Sequence, residues 1–159
     1  MITQPVTSTP GGGAPVALRY ALIAVQGYGI AEATVARMLD PEGNGRARIL
    51  APGEYIPYGS QPVLMAQTTV WGAARVEEML RSWGSLPKPW LVLISDAPAR
   101  PVEDARYRFR ALGGRLAGTA TVPYLPVLRA VEKAEEALEH KDVLTAAGKL
   151  RRTMEGKRP

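Results

Sequence analysis

Short apolar runs alternate along this chain with longer segments in which apolar residues recur every three or four positions. Apolar runs of this length predict buried strands, and the longer spacing predicts amphipathic helices. The runs predict strands over residues 17–25, near Ile49-Leu50, and over residues 62–67, 90–96 and 115–122. The periodic segments predict helices over residues 30–40, 68–83, 101–112 and 127–140.

The alternation of strands and helices indicates the fold class. Strands separated by amphipathic helices pair in parallel through right-handed crossovers. We therefore predict an α/β fold, a small three-layer domain with a mostly parallel, doubly wound sheet. We assign residues 16–140 to one domain, residues 1–15 to a flexible tail rich in Thr, Pro and Gly, and residues 141–159 to a basic C-terminal helix or flexible tail.

Composition narrows the chemistry that this domain can carry. The chain of 159 residues has no cysteine and one histidine. Disulfide scaffolds, thiolate metal sites and cysteine nucleophiles are therefore excluded, and a single imidazole is left. No stretch reaches the roughly 18 to 20 apolar residues of a membrane-spanning helix, and the N-terminal residues lack the pattern of a secretory signal. We expect a cytoplasmic protein with no membrane partner.

The net charge of +5 is concentrated near the C-terminus. Residues 141–159 contain six basic and two acidic residues, a net +4, which leaves +1 for the first 140 residues. Such a segment is a candidate contact for nucleic-acid phosphates, and a solvated chain end is the alternative interpretation. The candidate contacts are Lys149, Arg151, Arg152, Lys157 and Arg158.

Two segments that follow predicted strands carry candidate chemistry, because ligands of doubly wound sheets bind outside the carboxyl ends of the strands. Gly27, Gly29 and Thr34 lie between a predicted strand and its helix, where a phosphate-binding loop would lie. Glu32 occupies the position where that loop has its phosphate-neutralising lysine. Asp96 ends another predicted strand, which suits either a magnesium-binding acid or a local turn.

Three motifs within residues 63–126 resemble an uncharacterised actinobacterial protein family. These motifs are WLVLISDAPARP at 90–101, LGGR at 112–115 and VPYLP at 122–126. Members of that family resemble shortened ParA/MinD-type phosphate-loop ATPases, to whose first loop Gly29, Ala33 and Thr34 correspond in part. The resemblance implies a role in chromosome or mobile-element maintenance in a high-GC bacterium. Because the loop departs from the family pattern at Glu32, we expect a non-catalytic or degenerate member without an intact catalytic constellation.

Two other classes of function stay open at this stage. The sequence VQGYGIAEA at 25–33 also resembles a helix-hairpin-helix element, whose backbone N–H groups bind nucleic-acid phosphate. That hypothesis requires a helix over residues 17–25, for which we favour a strand. The third hypothesis is a structural subunit that contacts a protein partner or a second copy of the chain. No cofactor is expected, although ATP with magnesium remains the alternative that the loop suggests.

Overall fold

The computed structural model describes residues 17–156, and five parallel strands within them form one sheet. The strands are β1 (Tyr20–Ala24), β2 (Ala47–Ile49), β3 (Gln61–Gln67), β4 (Trp90–Ile94) and β5 (Gly118–Val122). The helices are α1 (Ile30–Leu39), α2 (Val70–Arg81), α3 (Glu103–Ala111), α4 (Ala134–Ala137) and α5 (Lys141–Glu155), with 3-10 turns at Gly113–Arg115 and Pro126–Arg129.

The sheet has the strand order β2-β1-β3-β4-β5, with every neighbouring pair parallel. In the register Leu22 of β1 lies between Ile49 of β2 and Val63 of β3. Leu22 and Val63 belong to the core that α1, α4 and α5 cover, whereas Leu64 and Leu91 belong to the core beneath α2 and α3. The predicted three-layer α/β fold with a parallel, doubly wound sheet is therefore confirmed.

Most predicted elements form where the pattern placed them, because the local signals agree with the tertiary packing. Thr69 caps α2 by accepting a hydrogen bond from the Gly72 N–H at 2.9 Å on its side-chain oxygen. Glu103 and Asp104 lie in the first turn of α3, where the helix dipole favours acids. The predicted strand near Ile49-Leu50 forms slightly earlier, at Ala47–Ile49.

Residues before the glycine turn form strand β1, as favoured from the sequence. The turn at Gly27 thus joins a strand to a helix and does not join two helices. The helix-hairpin-helix hypothesis lacks the first helix that it requires.

The helix predicted over residues 127–140 is wrong. The chain forms the 3-10 turn Pro126–Arg129 and then the short helix α4. The carboxylate of Glu136 accepts hydrogen bonds from the backbone N–H groups of Glu132 and Lys133 at 2.9 and 3.3 Å. A glutamate side chain that accepts hydrogen bonds from N–H groups three or four residues earlier marks a helix N-terminus. The helix α4 is therefore a separate helix that begins after Lys133.

The C-terminal segment is a helix that packs into the domain, so the predicted boundary after residue 140 does not match the packing. Val143 and Leu150 of α5 are fully buried in the core shared with α1. Arg151 donates a hydrogen bond from Nη1 to the Met38 carbonyl at 2.7 Å, at the end of α1. The predicted tail at 1–15, together with Lys157 and Arg158, lies outside the described residues. Within residues 17–156, none of the helices has the length and apolar character needed to cross a membrane.

Candidate functional site

The connections that leave β1 and β3 diverge to opposite faces of the sheet, since β1 leads to α1 and β3 leads to α2. This divergence creates a crevice at the carboxyl ends of the two strands, and in doubly wound sheets ligands bind at this point. Residues 25–29 follow β1 and the pair Thr68-Thr69 follows β3, so both segments begin at this point. The candidate phosphate loop therefore lies at the expected place in the fold.

Protein groups fill much of this crevice. The side-chain oxygen of Gln26 accepts a hydrogen bond from the Gln67 N–H at 2.7 Å, while Nε2 of Gln26 is buried without a partner among residues 17–156. A Cβ added to Gly72 would lie 2.2 Å from the Gln67 carbonyl oxygen and 3.0 Å from Oε1 of Gln26. Glycine at position 72 therefore lets α2 approach the end of β3 directly. Gly27 makes the turn with a φ of +116°, which favours glycine.

The carboxyl group of Glu32 covers the N-terminus of α1. Glu32 is buried, and Oε1 of its carboxyl group lies 3.3 Å from the position that a Cβ on Gly29 would occupy. Burial raises the pKa of this carboxyl above its ordinary value, and the neighbouring backbone N–H groups of Gly29 and Glu32 oppose that rise. Backbone N–H groups at a helix N-terminus are the donors that a phosphate would use. In this chain a side-chain carboxyl group already lies against them.

The hydroxyl of Thr34 faces the backbone of its own helix. It donates a hydrogen bond to the Ile30 carbonyl at 2.7 Å, and Thr34 is completely buried. Of the four residues of the predicted loop, the structure brings Gly29 and Glu32 into contact, while Gly27 lies in the preceding turn and Thr34 points into the helix.

Asp96 follows β4 and accepts a hydrogen bond from the Thr68 hydroxyl at 3.2 Å. Thr68 follows the neighbouring strand β3, so this contact joins the ends of two central strands. The partner is thus a side chain on another strand, which differs from the local turn considered from the sequence. Residues 17–156 hold no cluster of three or more acidic, histidine or cysteine side chains suited to a metal ion.

The predicted nucleic-acid contacts on α5 point in different directions. Successive residues of a helix are about 100° apart, so Lys149 and Arg151 lie on nearly opposite flanks. Lys149 faces β5, Arg151 bonds to the end of α1, and Arg152 is exposed beside Gly148. The described part of the basic segment therefore does not form one continuous patch.

A second candidate region, which the sequence analysis missed, lies at the open edge of β5. Among the strands of residues 17–156, β4 alone pairs with this strand. Ser95 N–H donates to the Val122 carbonyl at 3.0 Å, so Val122 directs its backbone groups toward β4. Because alternate residues of a strand direct these groups to opposite sides, Thr119 and Thr121 direct theirs toward solvent. The exposed Thr-Ala-Thr alternation was the signal that could have identified an edge strand.

Two grooves flank this edge. We call the first the α5 groove, a cavity of about 830 Å³ lined by Thr119, Thr121, Tyr124, Lys141, Thr145 and Lys149. We call the second the α3 groove, a cavity of about 510 Å³ lined by Leu93, Arg106, Phe109, Arg110, Thr119 and Thr121. The side chain of Arg106 is partly buried, and its Nε atom has no hydrogen-bond partner within the described residues. The edge strand thus separates two cavities that both carry basic side chains.

Comparisons with known proteins do not assign this chain to a family. No protein-family model matches the sequence, and no curated protein matches it.

Proposed function

We propose that this protein is a non-catalytic binding domain, a degenerate relative of the phosphate-loop NTPases that has lost the use of its phosphate site. The observation that carries the proposal is the position of Glu32. Its buried carboxyl group lies against the backbone N–H groups at the start of α1. A phosphate group at the same helix end would compete with this carboxyl group for the same donors.

Electrostatics support the same conclusion. A carboxylate and a phosphate charge about 4 Å apart repel each other by roughly 1 to 4 kcal/mol between the dielectric of water and that of a protein surface. Residues 25–34 contain no lysine or arginine to offset this repulsion. The buried hydroxyl of Thr34 is already bonded to Ile30, so a metal ion would have to break that hydrogen bond first.

We extend this proposal to a role in chromosome or mobile-element maintenance of a high-GC bacterium. It rests on the motifs at 90–101, 112–115 and 122–126. The parallel α/β fold agrees with a shortened ParA/MinD-type ancestor, although many functions share such folds. In this role the domain would act by holding a partner and would not hydrolyse ATP.

Calorimetric titration with ATP and magnesium tests the proposal directly. We expect no binding at millimolar ATP and no hydrolysis above background. The matched variant Glu32→Ala frees the N–H groups of α1 and should gain weak affinity for inorganic phosphate. Micromolar ATP binding by the unaltered protein would contradict the proposal.

A structural subunit of a larger assembly is the second candidate, and the open edge of β5 favours it. Thr119 and Thr121 direct backbone groups away from β4, and these groups have no backbone partner within residues 17–156. Natural proteins usually cover or blunt such an edge, because it offers a template for pairing with another chain.

A further inference from the structure

We propose that the edge of β5 binds an extended acidic segment of a partner protein, which adds to the sheet as a sixth strand. This inference rests on the proposed binding function and names the partner. The observations that carry it are the unpaired strand edge, the two flanking grooves and the basic side chains in them.

The backbone of β5 supplies the first argument. Thr119 and Thr121 direct their N–H and C=O groups away from β4, and both residues are exposed. An extended peptide placed beside β5 would pair with these groups through a ladder of main-chain hydrogen bonds. Such strand addition is a general mode of peptide recognition in which the main chain supplies affinity and side-chain pockets supply specificity.

The two grooves supply the second argument. Successive side chains of a strand point to opposite faces of the sheet, so an added strand would place alternate side chains in the α5 groove and in the α3 groove. Leu93 and Phe109 give the α3 groove an apolar floor, and Ala146 does the same in the α5 groove. Each cavity has room for more than one side chain.

The charges in the grooves define the chemistry of the partner. The α3 groove contains Arg106 and Arg110, and the α5 groove contains Lys141 and Lys149, against the single acid Asp142. Within residues 17–156 none of these four cations forms an ion pair. Arg106 is partly withdrawn from water and its Nε has no acceptor within residues 17–156, so a carboxylate in the α3 groove would supply the missing partner.

The same charges argue against a second copy of the chain as the occupant. A symmetric dimer formed through β5 would bring each edge against its equivalent. Lys141 and Lys149 would then approach the same residues of the other copy, and like charges would repel. Nucleic acid accounts for the cations but not for the unpaired backbone groups of β5, so an acidic peptide explains more of the observations.

The direct test uses a fluorescein-labelled octapeptide that repeats Glu-Glu-Val-Val, so that glutamates face both grooves, with a Lys-Lys-Val-Val repeat as its control. By fluorescence anisotropy at low salt, we expect the acidic peptide to bind at least tenfold more tightly than the basic one. Amide exchange measured by NMR provides a local readout. The amides of Thr119 and Thr121 should exchange at least tenfold more slowly with the acidic peptide present, while those of Ala120 and Val122 are protected in both states.

Thr121→Pro tests the edge of β5 while leaving the pairing of β5 with β4 intact. It removes an N–H that points away from β4, and Pro123 already occupies the next position with the same orientation. We expect this variant to keep its circular dichroism spectrum and to lose at least tenfold in affinity for the acidic peptide. Thr121→Val keeps the N–H and should bind as the unaltered protein does.

Arg106→Gln tests the charge independently of the backbone. It should lower affinity for the acidic peptide about tenfold, whereas Arg108→Gln, which removes a partner of Asp104 on the same helix, should leave affinity unchanged.

Equal binding of the two peptides, or full binding by Thr121→Pro, would overturn the proposal. A dimer in sedimentation that Thr121→Pro dissociates would identify a second copy as the occupant, and a duplex DNA that protects the β5 amides would identify nucleic acid. Because ATP titration probes the start of α1 and peptide titration probes β5, the two proposals fail separately.

Discussion

The N-terminus of α1 and the edge of β5 differ in how their polar groups are satisfied. At α1 the carboxyl group of Glu32 lies against the N–H groups, and Gly72 lets the neighbouring helix close the crevice. At β5 the backbone groups of Thr119 and Thr121 point away from β4, and Nε of Arg106 has no hydrogen-bond partner within residues 17–156. The position where doubly wound folds bind ligands is thus occupied by the chain itself, and the unmet polar groups lie two strands away.

Gly72→Ala should have the largest effect on stability, because it adds a methyl group at the tightest contact in the crevice between β1 and β3. The added Cβ would lie 2.2 Å from the backbone oxygen of Gln67, which cannot move without displacing β3. We expect a loss of about 3 kcal/mol in the free energy of unfolding, measured in urea.

The matched control for Gly72→Ala lies in the α3 groove, beside the edge of β5. A Cβ added to Gly113, at the end of α3, would meet nothing within 4 Å. Gly113→Ala should therefore change stability by less than about 0.5 kcal/mol. Equal losses for the two variants would show that the two regions are packed alike.

The two flanks of α5 allow the second prediction, since one flank faces α1 and the other faces β5. Arg151→Ala removes the 2.7 Å hydrogen bond to the Met38 carbonyl and should cost about 1.5 kcal/mol of stability. Lys149→Ala should cost less than about 0.5 kcal/mol and should instead weaken binding of the acidic peptide. Thermal unfolding measures the first effect and anisotropy the second, and a reversal of the two effects would refute this division of α5.

The fold was largely predictable because its signals are local. The apolar run that becomes β4, the cap at Thr69 and the acids at the start of α3 each specify an element within a few residues. Their alternation was enough to predict a parallel sheet with helices on both faces. The strand order was not predictable, because it depends on contacts between distant segments, and it makes β5 an edge strand.

The errors near the C-terminus have a related origin. Residues 141–159 were interpreted as an appendage because of their charge. The same segment has apolar residues at helical spacing, and the structure buries them in the core: Val143, Ala147, Leu150 and Met154. Sequence alone does not separate Arg151, which bonds to α1, from Lys149, which faces β5. The loop at Gly27–Thr34 joins a strand to a helix, as its sequence predicts, but the sequence could not show that the Glu32 side chain would fold back over the helix end.

Glu32→Gln should have the smallest effect on stability, and it tests how the carboxyl group at the start of α1 contributes to the fold. Burial raises the pKa of Glu32 in the folded protein above its ordinary value of 4.5. The folded state therefore holds this proton more tightly than the unfolded state, and the stability that the group contributes is lost as pH rises through the folded pKa. Glu32→Gln does not titrate and serves as the reference. Relative to it, the free energy of unfolding of the unaltered protein should fall by less than about 1 kcal/mol as pH rises from near 4.5, and the difference should then level off.

Glu54 offers a control of opposite sign, measured by urea unfolding over the same pH range. Hydrogen bonds from Arg48 and from the Ala51 N–H lower the pKa of Glu54, so its contribution to stability is present above the ordinary value and is lost as pH falls through the folded pKa. Relative to Glu54→Gln, the unaltered protein should thus become more stable as pH rises toward 4.5 from below. If Glu32→Gln instead showed this same direction, the N–H hydrogen bonds would outweigh burial. The start of α1 would then be stabilised by a fully ionised carboxylate, and a competing phosphate would be excluded more strongly than we infer.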